Sequence, residues 1–464
     1  MSPNPTTLPP VGISAISSYF PSRQVNLEAW SSWRGANWDK IQAVVGTSFR
    51  VADPREDIYT MAAEAVFKLL KDNDVSPSTI GLLILATESS LDNAVGASTL
   101  RGLTDRKLKR EGLPSIDRNC ETYELKQACL AGVYGIKQAL RWAMLMPAHR
   151  HAIVVSVDIA EYELGSTGEP TQGAGAIATL ITQRPALLEL DPRESGSSSV
   201  DRETDFRKPH LRPRDQRVPD ARPSDFPVFD GPYSTSCYLN SVCTAFENLM
   251  QRESLESKRA EGPIGFDRLF FHRPYRQLPE RAAATLLASV IKRSENQEPE
   301  SRLATLVRET DMDTSDEVTE LGKRVHKSQI YTETIAPRLE LGKNLTAQFG
   351  NLYTASLPAW IAAAFVEALE NSEKLSDETW LLIGYGSGDA AEAMVASVVP
   401  GWEDAAQRIG IRQSLSTSEV LTEHDYQAIH HRGEICGANR PSAYRYIEHE
   451  VDQPTSVIPK YKVE

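Results

Sequence analysis

The 464-residue sequence predicts a layered α/β protein, on three observations. Short apolar runs such as "GLLILAT" (81–87) and "HAIVVSVDIA" (151–160) have the length of buried strands. Longer stretches with a 3.6-residue apolar period alternate with them. In both halves a buried strand ends at a reactive polar residue and a helix follows, which suggests a duplicated α/β core.

Taken in order, "VGISAISSYF" (11–20) reads as a strand, with helical stretches near 26–45 and 58–73. The strand at 81–87 is followed by a mostly helical 91–110. Thr122, Tyr123 and Leu125 form a short extended segment before the helix that carries Val133, Ile136, Ala139, Leu140 and Met144. After the strand at 151–160, "GAGAIATLI" and "ALLELD" read as a strand pair. Residues 191–231 are rich in Pro, Ser, Arg and Asp without an apolar period, and are expected to be a surface excursion. They divide an N-terminal half (1–190) from a C-terminal half (232–464). The second half holds a helix near 235–255, the strand "RLFF", a long helix, and a charged exposed stretch at 295–320. A helix through "ASLPAWIAAAFVEALE" and the strand "TWLLIGYG" follow.

Composition narrows function. A net charge of −13 argues against a nucleic-acid or membrane-surface partner. No apolar run reaches the length of a membrane span, and "MSPNPTTLPP" lacks the layout of a signal peptide. Five cysteines (120, 129, 237, 243, 436) form no CxxC pair, as expected for free thiols in a reducing cytoplasm. The sequon at Asn344 is then a chance match. No metal-ligand spacing or nucleotide loop occurs. "IGYGSGD" (383–389) spaces its glycines wrongly for a dinucleotide site.

Four residues stand where α/β folds place their sites, at strand ends or strand-to-helix turns: Glu88, Cys129, His272 and Asn351. Cys129 precedes an apolar helix, where free backbone N–H groups and the helix dipole favour a thiolate. Each has an ordinary alternative: a small core residue, a capping acid, a hydrogen-bonded core histidine and a turn amide. Together they suit carbon–carbon bond formation on thioesters. The thiolate accepts an acyl group, the carboxylate takes an α-proton, and histidine and amide steady an oxyanion. A cysteine hydrolase would use the same groups.

The residues resemble the 3-hydroxy-3-methylglutaryl synthase family over nearly the whole chain. The matching motifs run in order: "YFPS", "REDIYTMAAEA", "ATES", "KQAC", "VVSVDIA", "GEPTQGAGA", "DFRKP", "DGPYSTSCYL", "FHRPY", "GNLYTAS" and "GYGSG". The resemblance implies a thiolase-like fold of two α/β/α/β/α halves, a homodimer, coenzyme A thioesters as substrates, and no cofactor or metal. It implies that Cys129 takes the acetyl group, Glu88 serves as acid and base, and His272 with Asn351 polarises the acceptor ketone. Backbone donors at Cys129 and Ser387 would hold the acetyl oxygen. Tyr353, Asp158 and Thr171 would complete the substrate site, with Lys208, Arg276 and Arg281 meeting CoA or a carrier protein.

Three features depart from the family's pattern. Leu130 follows the cysteine, which bears on acyl-pocket shape, and Gln277 and Arg281 stand where lysines are usual. The stretch 207–222 holds six Lys/Arg against two Asp and is a candidate dock for an acidic carrier protein. The leading reading is the CoA synthase that makes a mevalonate precursor in isoprenoid biosynthesis. The alternative is the same chemistry on a carrier-bound chain in polyketide β-branching. A decarboxylative ketoacyl synthase would leave Glu88 without a role, and a silent binding relative would not need the whole set.

Overall fold

Strands that are buried on both faces should read as continuous apolar runs, and those of this chain do. The structure is a computed structural model describing residues 8–90, 94–202, 205–206, 227, 230–259, 261–297, 317–432, 444–447 and 460–463. Its strands in chain order are β1 (Val11–Tyr19), β2 (Arg23–Asn26), β3 (Ser48–Val51), β4 (Ile80–Ala86), β5 (Glu121–Leu125) and β6 (His151–Ala160). There follow β7 (Gly173–Gln183), β8 (Leu188–Ser199), β9 (Arg268–Phe271), β10 (Thr379–Gly386), β11 (Ala390–Val398) and β12 (Glu419–Val420).

Nine of these form one mixed sheet in the order β5-β4-β6-β7-β1-β8-β11-β10-β9. In one half β4 is parallel to β6, and β6, β7 and β1 are successively antiparallel. In the other, β9 is parallel to β10, and β10, β11 and β8 are successively antiparallel. The same four-strand pattern therefore occurs twice, joined where Gly12 and Ile13 pair with Glu189 and Leu188. This is the duplicated thiolase-like α/β core the sequence suggested, with β5 as an extra edge strand on the first half.

Side-chain alternation makes the layers. Leu82, Ile84, Val154, Ile177 and Ile181 face a core shared with the helix Ala131–Leu145. Their neighbours Leu83, Leu85, Ile153, Val155 and Ala178 face the opposite side, with the helix Ile58–Asp72. That helix starts where it does because Asp57 accepts the Thr60 N–H and Thr60 returns the bond to the Asp57 N–H, a capping box. The helix Ser356–Glu370 is buried along almost its whole length, which places it between layers and explains its unbroken apolar sequence.

One expectation fails. Residues 191–199 are not surface excursion but the outer part of β8, laddered to β11 from Ser195↔Met394 to Ser199↔Ala390. The stretch lacks an apolar period because backbone pairing and close helix approach carry it. A Cβ added to Gly196 would lie 2.1 Å from the Leu249 nitrogen and 2.2 Å from the Ala245 oxygen of the helix Gly231–Met250. Residues 207–222, read as a basic loop, lie outside the described residues, as does Lys208.

Gly196→Ala is therefore expected to destabilise the fold by about 1–3 kcal/mol through overpacking against helix backbone. Urea denaturation would show this as a lower midpoint. An unchanged midpoint would return the segment to the surface.

Candidate active site

The site is built on strand ends, and a buried carboxylate ties them together. Asp158 lies in β6 with no exposure. Its Oδ1 accepts from the Glu88 N–H (2.8 Å), the Ser89 hydroxyl (2.8 Å) and the Thr87 hydroxyl (3.0 Å), all just past the end of β4. Its Oδ2 accepts from the Thr354 N–H (3.0 Å) and hydroxyl (2.5 Å), which belong to the second half. Asp158 thus sets Glu88 and the segment before the helix Ser356–Glu370 in one frame. It is not among the residues that line the neighbouring cavity.

Glu88 then meets Cys129, whose Sγ donates to Glu88 Oε1 at 3.0 Å. Cys129 is 8% exposed, directly before the helix Ala131–Leu145. Ala128 and Tyr353, both at φ 45°, hold left-handed backbone on two sides of the thiol, strain of the kind that tight sites store. The thiol clusters with Ala160, Tyr162 and Tyr353, with Phe206 packed against them. The three aromatic rings meet edge to face, with centroids 6.1 to 6.5 Å apart.

A cavity of about 910 Å³ opens onto this cluster and is lined by Cys129, Thr171, His272, Asn351, Tyr353 and Ser387. The Asn351 Oδ1 accepts from the Tyr353 N–H (2.9 Å) and the Ser356 hydroxyl (3.0 Å), so its NH₂ is the end left for the cavity. His272 follows β9, and burial pushes its pKa down to about 3. It is therefore a neutral imidazole that can donate one N–H. Its own carbonyl accepts from the Tyr238 hydroxyl at 2.8 Å.

Ser387 occupies the turn between β10 and β11, so "IGYGSGD" forms a hairpin and not the strand-to-helix turn of a dinucleotide site. Asp205, almost fully buried, holds that hairpin by accepting from the Gly388 N–H (3.1 Å) and the Tyr385 hydroxyl (2.9 Å). The glycines let β10 approach the cysteine turn. A Cβ on Gly386 would fall 2.3 Å from the Gln127 oxygen, and one on Gly384 would fall 2.7 Å from Leu130 Cδ1. Leu130 is fully buried against this strand and is not among the residues that line the cavity.

Arg281 lines the outer cavity beside Lys323, His326 and Lys327 of the helix Val318–His326 and its C-cap. Arg276 stands apart from the lining, with its backbone N–H on the Val45 oxygen. Sequence reasoning missed Asp205, Phe206 and Tyr162. "DFRKP" carried the first two inside a stretch without periodicity, and Tyr162 lies two residues beyond a strand end.

Residues 8–185 match the family model described as hydroxymethylglutaryl-coenzyme A synthase N terminal, and residues 203–436 match its C-terminal counterpart. The chain is 30% identical over 385 residues to the hydroxymethylglutaryl-CoA synthase of Haloferax volcanii, covering 82% of this chain and 81% of that one. It is 28% identical over 421 residues to the synthase of Enterococcus faecalis, covering 90% and 91%. A solved structure of MvaS in complex with 3-hydroxy-3-methylglutaryl coenzyme A is similar at a TM-score of 0.77 and 26% identity, over 98% of this chain and 99% of that chain. The Curacin biosynthetic pathway HMG synthase, solved in complex with holo donor-ACP, shares the fold at a TM-score of 0.67 and 21% identity, over 96% and 93%.

The buried imidazole has a measurable consequence. The His272 pKa of about 3 in the folded chain lies below the ordinary 6.5, so between these values the unfolded chain binds a proton that the folded chain refuses. Stability from this group is complete above pH 6.5 and is lost as pH falls toward 3. His272→Asn should remove that dependence. Between pH 7 and pH 5 its unfolding free energy should fall by about 2 kcal/mol less than that of the unaltered chain. Equal falls in urea titrations would mean that His272 is accessible to protons.

Proposed function

The chain belongs to the hydroxymethylglutaryl-CoA synthase family, and on that premise we propose that it joins an acetyl group carried on Cys129 to the ketone of acetoacetyl-CoA, giving 3-hydroxy-3-methylglutaryl-CoA. The observation that carries this reading is the 3.0 Å pairing of the Cys129 thiol with Glu88, with a neutral His272 lining the same cavity as the thiol. Cys129 attacks the acetyl carbonyl of acetyl-CoA, the new S–C bond replaces the old one, and CoA leaves as the thiol. Backbone N–H groups at Cys129 and Ser387 are assigned to the acyl oxygen. Glu88 takes a proton from the acetyl methyl, and the resulting carbon nucleophile attacks the acceptor ketone. The His272 N–H and the Asn351 NH₂ stabilise the oxygen, which Glu88 reprotonates. Water then cleaves the thioester and frees the cysteine.

Exposed Lys323 and Lys327 at the cavity mouth, with Arg281, suit the phosphates of a CoA thioester. They would also suit the phosphopantetheine arm and acidic surface of a carrier protein, and a carrier-borne polyketide acceptor is the second reading. A homodimer fits β5, an edge strand paired on one side by β4, with Tyr123 38% exposed. A second copy could extend the sheet across a two-fold axis. No helix among the described residues is long and apolar enough to cross a membrane, and Cys120, Cys129, Cys237 and Cys243 are free thiols. Both features accord with a reducing cytoplasm.

Acetyl-CoA alone should acetylate Cys129, visible by intact-protein mass spectrometry, and Cys129→Ser should abolish the adduct. Glu88→Gln should still be acetylated while condensation falls by about 10²–10⁴, the usual contribution of a positioned base. Acetylation of another cysteine would sink the assignment. A kcat/KM greater with a carrier-bound acetoacetyl group than with acetoacetyl-CoA would favour the second reading.

A further inference from the structure

The C-terminal part of the described chain returns to the site from far away in sequence. Arg50 of β3 donates to the carbonyls of Leu415 (2.7 Å) and Thr417 (3.3 Å), and β12 pairs with β2. These contacts lay the helix Glu423–Arg432 against the first half. Its Tyr426 ring packs on Trp33 and edge-on to Phe49.

From that base the helix reaches both backbone polar groups of one residue beside the Cys129 thiol, one directly and one through Gln172. His430 Nε2 donates to the Tyr162 carbonyl at 2.8 Å. The Tyr162 N–H donates to Gln172 Oε1 at 2.7 Å, and Gln172 Nε2 donates to the Tyr426 hydroxyl at 2.7 Å. Tyr426 in turn donates to Glu169 at 3.1 Å. Glu169 is fully buried, and burial alone would raise its pKa. Hydrogen bonds from Arg34, Trp30 and the Gly165 N–H prevail and keep the carboxyl below its ordinary value, so it is a fixed anionic acceptor. The Tyr162 backbone is therefore held at both ends, directly by His430 and through Gln172 by Tyr426. Its ring is one of the walls around the Cys129 thiol.

We propose that His430 and Tyr426 are positioning residues that fix the Tyr162 wall and so limit the acyl group on Cys129 to two carbons. The inference rests on the synthase reading above. A wall held at its backbone excludes one extra methylene, and a released one yields to it. A closed apolar pocket separates ligands differing by one methylene by roughly 10–200-fold.

The test incubates the full chain with equimolar acetyl-CoA and propionyl-CoA and reads the mass of acyl-Cys129. His430→Ala should raise the propionyl-to-acetyl ratio about tenfold. His430→Gln, whose amide N–H can reach the same carbonyl, should restore it. Tyr426→Phe keeps the ring packing and releases Gln172, so it should shift the ratio the same way, and it decides the matter if His430→Ala fails to fold. An unchanged ratio in the folded variants, equal losses with both donors, or no rescue by glutamine overturns the inference. If the unaltered chain takes acetyl and the variants keep its ratio, only this inference falls. If the unaltered chain takes no acetyl, the synthase reading falls and carries the inference with it.

Discussion

The carboxylate of Asp158 accepts five hydrogen bonds from residues that lie in different halves of the chain, and the rest of the site depends on it. An ionised carboxyl can only accept, so five donors converging on one buried anion form a satisfied network. Removing the anion would leave several buried donors unpaired, at about 1–3 kcal/mol for each group left unmet. On one side the network fixes Glu88 within reach of Cys129. On the other it fixes Thr354, whose neighbour Tyr353 walls the thiol and whose near neighbour Asn351 turns its amide toward the cavity.

Around that centre the protein combines two environments that serve opposite ends. Aromatic packing leaves the thiol only 8% exposed, and a lowered local dielectric strengthens the polar contacts nearby. The same burial removes the charge from His272, which leaves a neutral imidazole able to donate one hydrogen bond. Farther out the cavity is lined by Arg281, Lys323, His326 and Lys327, with Glu320 paired to Lys323.

Residues with a strong local signal were legible in the sequence. Glu88 and His272 follow apolar strands, and Cys129 precedes an apolar helix; β4 and β5 are parallel and end on one side, which brings Glu88 near the cysteine turn, while His272 comes from the second half, where β9 runs opposite to them. What stayed hidden works through other residues or through small ones. The outer part of β8 is held by backbone pairing and by Gly196 under a helix, so its sequence resembles a loop. Asp205, Phe206 and Tyr162 act from irregular segments. The helix Glu423–Arg432 is polar enough to pass for surface, and its tie to Tyr162 spans 268 positions in sequence.

Hydrogen exchange in Asp158→Asn tests the central claim most directly. The peptides to follow are those carrying the Glu88 and Thr354 amides, which come from opposite halves and share one acceptor. If Asp158 joins the halves at the site, both peptides lose protection together while the helix Ile58–Asp72 keeps its own. Loss confined to the Glu88 peptide, or protection unchanged in both, would contradict the account.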